Sequence, residues 1–447
     1  MIAILINRQK NRQLLALALP MILSNITVPL LGLVDTAVIG HLSNAYYLGG
    51  VAVGSTIITL ILWLLGFLRM ATTGLVAQAY GANDTQQQYR LLIQAASLAL
   101  MLGFAAILLQ HPIVNLTMGL SDTSLEVERF CREYFQVRIW STPFALMNLV
   151  MLGWLLGRQQ PKAAMWQLIV ANLVNIALDV LFVIGLDWGV KGAAFASVIA
   201  DVAGFAVALT FVNRQLNHLD DFHFITVCRQ LTLQSYQKLL SLNADIFVRS
   251  LCLQLSFAFM TFYGASLGDN TVAANAILLN LLLLISYALD GIAYYAEAEV
   301  GRAYGKKDRQ LMLDSVMLAW IWSAITALGF TLFFAISGHQ LILALTSIVT
   351  VQQVANDYLI WLIFLPLLAF SSYLFDGVYI GAGQGKAMRN SMIFSTFGVF
   401  FPTWFLLQST GNHALWAAIS AFMLARSLTL FLHYRLKLSK ALTLSES

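Results

Sequence analysis

The chain has 447 residues, 59% of them hydrophobic and 10% charged, against roughly 45–50% and about 25% in soluble domains. That excess of apolar side chains excludes a water-soluble globule, and a net charge of +4 is too small to point to nucleic acid. Cys131, Cys228 and Cys252 are scattered, with neither metal-ligand spacing nor a disulfide pattern.

A bilayer span takes about 20 mostly apolar residues, and such runs recur from Leu14 to Tyr434. They predict an all-α polytopic membrane protein with about twelve helices, centred on 14–39, 47–78, 89–110, 131–156, 163–186, 193–212, 241–263, 272–300, 312–336, 355–380, 391–408 and 414–434. The first run is broken at Pro20 and has no small-residue cleavage site, so it is expected to stay as a helix and not to be cleaved as a signal peptide. A proline inside a helix removes one backbone donor and crowds the preceding turn, which makes Pro20 a built-in point of bending. A static kink is the plainer alternative.

An ionisable residue within a span costs at least about 2.5–3.5 kcal/mol on insertion scales, so each one is a functional candidate. Helix 1 carries Asp35. Helix 5 carries Asn175 and Asp179 four residues apart, hence on one face, and helix 6 repeats the spacing with Ser197 and Asp201. Asp35 and Asp179 should lie at similar depth. Two carboxylates in a poorly hydrated cavity cannot both stay ionised cheaply, so protonation would respond to the side that the cavity faces. The oxygens of Asp35, Asn175, Asp179 and Ser197 suit Na⁺ as well, and plain hydrogen-bond anchors between helices would look the same. Asp245 falls near the inner end of helix 7. Asp290 and Asp376, each followed by glycine on helices 8 and 10, with Glu297 and Glu299 further along helix 8, are candidates to bind a cationic substrate or complete a second ion site, or else caps or helix-to-helix anchors. The many aromatic and methionine residues suit flat, greasy cations.

The chain also repeats itself. Ala79-Tyr80-Gly81 recurs as Ala303-Tyr304-Gly305, an offset of 224, and the same shift carries Gly157-x-x-Gln160-x-Lys162-Ala163 onto Gly381-x-x-Gln384-x-Lys386-Ala387. Six spans separate equivalent positions, so the halves are parallel repeats forming two pseudo-symmetric six-helix bundles: residues 1–215, a cytoplasmic linker at 216–240, and residues 241–447. Asp35 falls on Phe259 under the shift, so the shared scaffold does not demand its carboxylate. Lys and Arg concentrate in cytoplasmic loops. With both termini inside, the inner segments hold 18 basic residues and the outer loops only Arg129, Arg132 and Lys191, while Arg69, Arg138, Arg249 and Arg426 fall within or near helices.

Four segments carry a resemblance. They are Gly32-Leu33-Val34-Asp35-Thr36-Ala37-Val38-Ile39-Gly40-His41-Leu42; Asn175-x-x-x-Asp179 followed by Gly189-Val190-x-Gly192-Ala193-Ala194; Asp290-Gly291-Ile292-Ala293; and Asp376-Gly377-x-x-Ile380-Gly381. Over nearly its whole length the chain resembles the MATE (multidrug and toxic compound extrusion) transporters, specifically the DinF-like branch. The resemblance implies two six-helix bundles that alternate between outward-open and inward-open forms and export organic cations against H⁺ or Na⁺. It further implies that Asp35 is the coupling residue, that helix 1 bends at Pro20, and that Asn175 and Asp179 share the cavity. The other MATE branch uses an acidic residue of helix 7, where this chain has Asp245 near the inner end and Phe259 further out.

These readings converge on a proton-coupled multidrug antiporter, with Na⁺ coupling or the flipping of lipid-linked amphiphiles as alternatives. No paired-histidine metal motif, Gly-x-Ser-x-Gly elbow or phosphate-binding loop occurs, so an enzyme is not expected. The expected partners are amphipathic or cationic small molecules and membrane lipid, with no nucleic acid, no bound metal and no cofactor beyond the coupling ion. The expected setting is the bacterial inner membrane, and the expected state a monomer.

Overall fold

A computed structural model of the chain describes residues 7–40, 45–119, 124–217 and 232–441, without the side chains at 33, 35, 36, 40, 45, 217, 233 and 441. Among the described residues there is no strand, and twelve helices are long and apolar enough to cross a membrane. They are α1 (Arg8–Ile39), α2 (Tyr46–Gly81), α3 (Thr85–Leu108), α4 (Leu125–Gly157), α5 (Pro161–Gly185), α6 (Gly189–Leu216), α7 (Gln234–Ser266), α8 (Asp269–Lys306), α9 (Arg309–Leu345), α10 (Val349–Gly381), α11 (Gly385–Thr410) and α12 (Asn412–Leu438). Each apolar run of the sequence becomes one of them. The linker expected at 216–240 lies largely, at 218–231, outside the described residues.

The chain divides into two compact units, one of Met1–Ile22 with Leu240–Ser447 and one of Leu23–Leu239. The first turns of α1 therefore pack with the second half of the sequence, and the first turns of α7 with the first half. Lys10 Nζ sits 2.6 Å from Asp314 Oδ2 on α9, Trp322 donates to Asn11 Oδ1 at 2.8 Å, and Gln13 donates to Glu299 on α8 at 2.7 Å. At the start of α7, Ser235 and Tyr236 bond to Gln94 and Ser97 of α3 at 2.9 and 2.8 Å.

The repeat is visible in the turns as well as in the helices. Asp84 caps α3 by accepting from the Gln87 amide at 2.8 Å, and Asp308, 224 residues on, caps α9 by accepting from Leu311 at 2.9 Å. Capping of this kind satisfies a backbone donor that the helix leaves without an intrahelical partner. Left-handed turn residues recur in the same pairs: Asn83 with Lys307, Gln159 with Gly383, Asp187 with Gly411. Helix crossings repeat too. A Cβ at Gly153 would lie 2.5 Å from the Arg69 carbonyl oxygen, and one at Gly377 would overlap that of Ala293, so α4 against α2 and α10 against α8 meet backbone to backbone. Without a hydrophobic drive between helices in lipid, such close approach of small residues is a main source of association.

Candidate functional site

The unit of Leu23–Leu239 lines a partly open cavity of about 270 Å³. Its walls come from α1 (Gly32, Ile39), α2 (Val51, Ser55, Thr56), α4 (Tyr134), α5 (Asp179) and α6 (Ala193, Ser197). Asp179 is 2% exposed and Asn175, one turn earlier, 3%. The i,i+4 spacing aligns them, and Asn175 donates its amide Nδ2 to Ser197 Oγ at 3.0 Å. Directly after Asp179 the helix widens into a π-turn, Val180–Gly185, a local irregularity frequent at functional sites. Asp35 lies on α1 between the two wall residues Gly32 and Ile39, with its side chain outside the described structure. A buried carboxylate, an amide and a hydroxyl around a small cavity can hold a proton or a hard cation.

Asp201 is one turn beyond Ser197 but faces different partners. Its Oδ2 lies 2.6 Å from Arg138 Nη1 and accepts from Ser141 Oγ at 2.8 Å, both on α4. Arg138 in turn neighbours Tyr134 of the cavity wall. Asn148 donates to the Asp201 carbonyl at 2.9 Å and accepts from Gln167 at 3.1 Å, tying α4, α5 and α6 together.

In the other unit Asp245 is paired with Arg389 of α11 at 2.7 Å. Asp376 Oδ2 receives two guanidiniums, Arg249 from α7 and Arg426 from α12, the latter at 2.7 Å. Asp290 is half-buried on α8. Glu297 is buried, and Glu299 is bonded to Arg302 at 2.6 Å as well as to Gln13. Among the described residues no group of three or more His, Cys, Asp or Glu is placed to hold a metal ion.

This geometry meets the comparisons with known proteins at its repeated halves. The family model described as MatE matches residues 20–181 and again 246–406. The chain belongs to the MatE family. Family members are transporters and not enzymes. The chain is 46% identical over 422 residues to the DNA damage-inducible protein F of Escherichia coli (strain K12), covering 94% of this chain and 91% of that one, which makes it DinF-like. It is 27% identical to a probable multidrug resistance protein NorM of Caulobacter vibrioides over 85% of this chain and 79% of that one. Among solved structures, a MATE crystallised in a straight and in a bent conformation superposes with TM-scores of 0.87 and 0.85, at 20% identity, over 97% of each chain and over 98% and 97%.

Sequence reasoning missed the basic half of the MatE chain's charge network. Arg138, Arg249 and Arg426 stood out as charges within helices, and the same insertion cost that drew attention to the aspartates applies to them. Their partners lie 50 to 127 residues away. Spacing along a helix cannot reveal such pairings.

Proposed function

We propose that the protein is a secondary active multidrug efflux antiporter, exporting amphipathic or cationic organic compounds in exchange for H⁺ entry by alternating access. Asp35 and Asp179 take up and release the proton, with Asn175 and Ser197 as the polar frame. The observation that carries this reading is the buried Asp179–Asn175–Ser197 group on a cavity bordered by the stretch of α1 that holds Asp35. Desolvation disfavours the charged carboxylate, so proton affinity depends on how far the cavity is hydrated, and hydration changes when access alternates. One proton entering at roughly 150 mV releases about 3.5 kcal/mol, and each unit of pH gradient adds about 1.4 kcal/mol. That drives a gradient of a few hundred-fold for a neutral substrate.

Pro20 lies two residues before the point where α1 passes from one unit to the other. It supplies a weak place at which α1 flexes when the carboxylates change charge. The protein is placed in the bacterial inner membrane, with both termini and the basic loops on the cytoplasmic side. The same oxygens suit Na⁺, so the deciding experiment imposes pH and Na⁺ gradients separately on proteoliposomes and follows efflux of a cationic dye. Efflux driven by the pH gradient alone supports the proposal. Efflux that needs Na⁺ and ignores pH replaces it with Na⁺ antiport.

A further inference from the structure

The unit containing α7 to α12 holds a charged cluster that proton coupling does not use. Arg249 and Arg426 both bond through Nη2 to one oxygen, Asp376 Oδ2. Arg426 is 2% exposed, and Arg249 and Asp376 are each 7%. A guanidinium carries five N–H donors in a fixed fork. Among the described residues Arg426 otherwise bonds to Met423 Sδ, at 3.3 Å, and lies over the Phe422 ring, and the Nε of each arginine is buried there with no hydrogen-bond partner. Two guanidiniums on one carboxylate oxygen leave a surplus of donors.

Nothing in the repeated scaffold asks for these charges. Under the 224-residue shift Arg249, Asp376 and Arg426 fall on Asn25, Leu152 and Val202. In the first repeat the equivalent helices are α1, α4 and α6, and the ion pair they carry, Arg138 with Asp201, uses other positions. A buried ion pair is a weak source of stability compared with packed apolar residues. On α8, Asp290 is half-buried near Tyr373. It acts together with Asp376 and Arg426 on the Tyr373 hydroxyl, which is bonded to Ser286 at 2.6 Å.

We propose that Arg249 and Arg426 form a binding site for the acidic head group, carboxylate or sulfonate, of an amphiphilic substrate, with Asp376 holding the two forks in place until the substrate arrives. An oxyanion with two acceptor oxygens matches the guanidinium fork in a way that the single Asp376 oxygen does not. The inference rests on the transport reading above and deepens it, because it adds acidic and zwitterionic amphiphiles to the cationic ones.

The test is equilibrium binding, which needs no ion gradient, to purified protein in nanodiscs of zwitterionic lipid. Octanoate and octyltrimethylammonium are the probes, equal in chain and opposite in charge. Arg249→Gln and Arg426→Gln are expected to weaken octanoate about tenfold and leave octyltrimethylammonium within about twofold. Asp376→Asn removes the competing carboxylate and should tighten octanoate several-fold, a direction that a purely structural role does not produce. Octanoate affinity unchanged in both arginine variants, or weakened by Asp376→Asn, overturns the proposal. An equal loss of both probes does so too, since it reports damage and not recognition. Repeating the titration in anionic nanodiscs tests whether a lipid head group is the occupant: competition there that is absent in Arg249→Gln assigns the site to lipid and overturns the substrate reading. Loss of dye efflux in the parent protein with octanoate recognition intact would instead fail the transport reading alone.

Discussion

Asp179 and Asp201 lie on adjacent helices, yet their surroundings differ. Asp179 borders the cavity beside Asn175 and Ser197, so Asp179→Asn, which keeps the shape but cannot titrate, is expected to abolish or strongly reduce pH-driven efflux and shift its pH optimum. Asp35→Asn should abolish coupled efflux with folding intact. Both are read as dye efflux against external pH in proteoliposomes, and an unaltered profile in either variant removes that residue from the coupling site. Asp201 is held by Arg138 and Ser141, so Asp201→Asn leaves a guanidinium with its counter-charge gone and should cost about 1–3 kcal/mol of stability. A lower melting temperature with an unshifted pH profile is the expected signature. The i,i+4 spacing made the face shared by Asn175 and Asp179 legible, because helical periodicity fixes direction. It gave Ser197 and Asp201 the same appearance, because direction does not say which neighbour stands opposite. Where Asp201 sits, α4 presents Arg138, 63 residues away, and long-range pairing of that kind is written in no local pattern.

The helices themselves were easier to foresee than their crossings. Apolar length alone predicts twelve spans, because a bilayer demands that every backbone polar group be paired within a helix. Sequence similarity also exposed the repeat, yet it did not say why Gly153 and Gly377 matter. Each sits where two backbones touch, and in lipid that contact has no substitute from hydrophobic burial. Gly153→Leu should force α4 off α2 and destabilise the fold by about 1–3 kcal/mol, the usual range for overpacking. Gly32→Ala, at a glycine where a Cβ meets nothing within 4 Å, is the matched control. Thermal unfolding in detergent separates the two, and equal melting temperatures would show that the α2–α4 crossing tolerates a side chain. The break within α2 at Leu65–Gly66, between helical segments Ala45–Leu64 and Phe67–Gly81, was hidden in the unbroken apolar run. Hydrophobicity marks what lipid accepts and not where backbone bonds switch to the tighter i−3 partner, as they do at Gly66, Leu68 and Arg69.

Across the whole molecule, the two repeats exchange their opening turns. α1 begins bonded to α9 and α7 begins bonded to α3, and these are equivalent pairs under the same shift. Each half thus lends the start of its first helix to the other, a pattern that similarity between repeats cannot disclose because it concerns which copy is the neighbour. On the proposed mechanism, α1 either releases its ties to α8 and α9 or flexes beyond them. The ties are several: the Lys10–Asp314 pair and the bonds made by Asn11 and Gln13, each worth about 0.5–1.5 kcal/mol. Flexing is easier, because Pro20 has already removed one helical hydrogen bond just before α1 leaves this group of helices. Joining Lys10→Cys to Asp314→Cys with a short thiol crosslinker is therefore expected to leave at least about half of the parent efflux, since the tied segment need not move. The same crosslink in a Pro20→Ala background should nearly stop efflux, because the regained backbone donor stiffens the point of bending next to the tied segment. Pro20→Ala alone should fall between the two. Complete arrest by the crosslink with Pro20 in place would mean that α1 leaves α9 in every cycle, and the hinge would then have to be sought in the ties themselves.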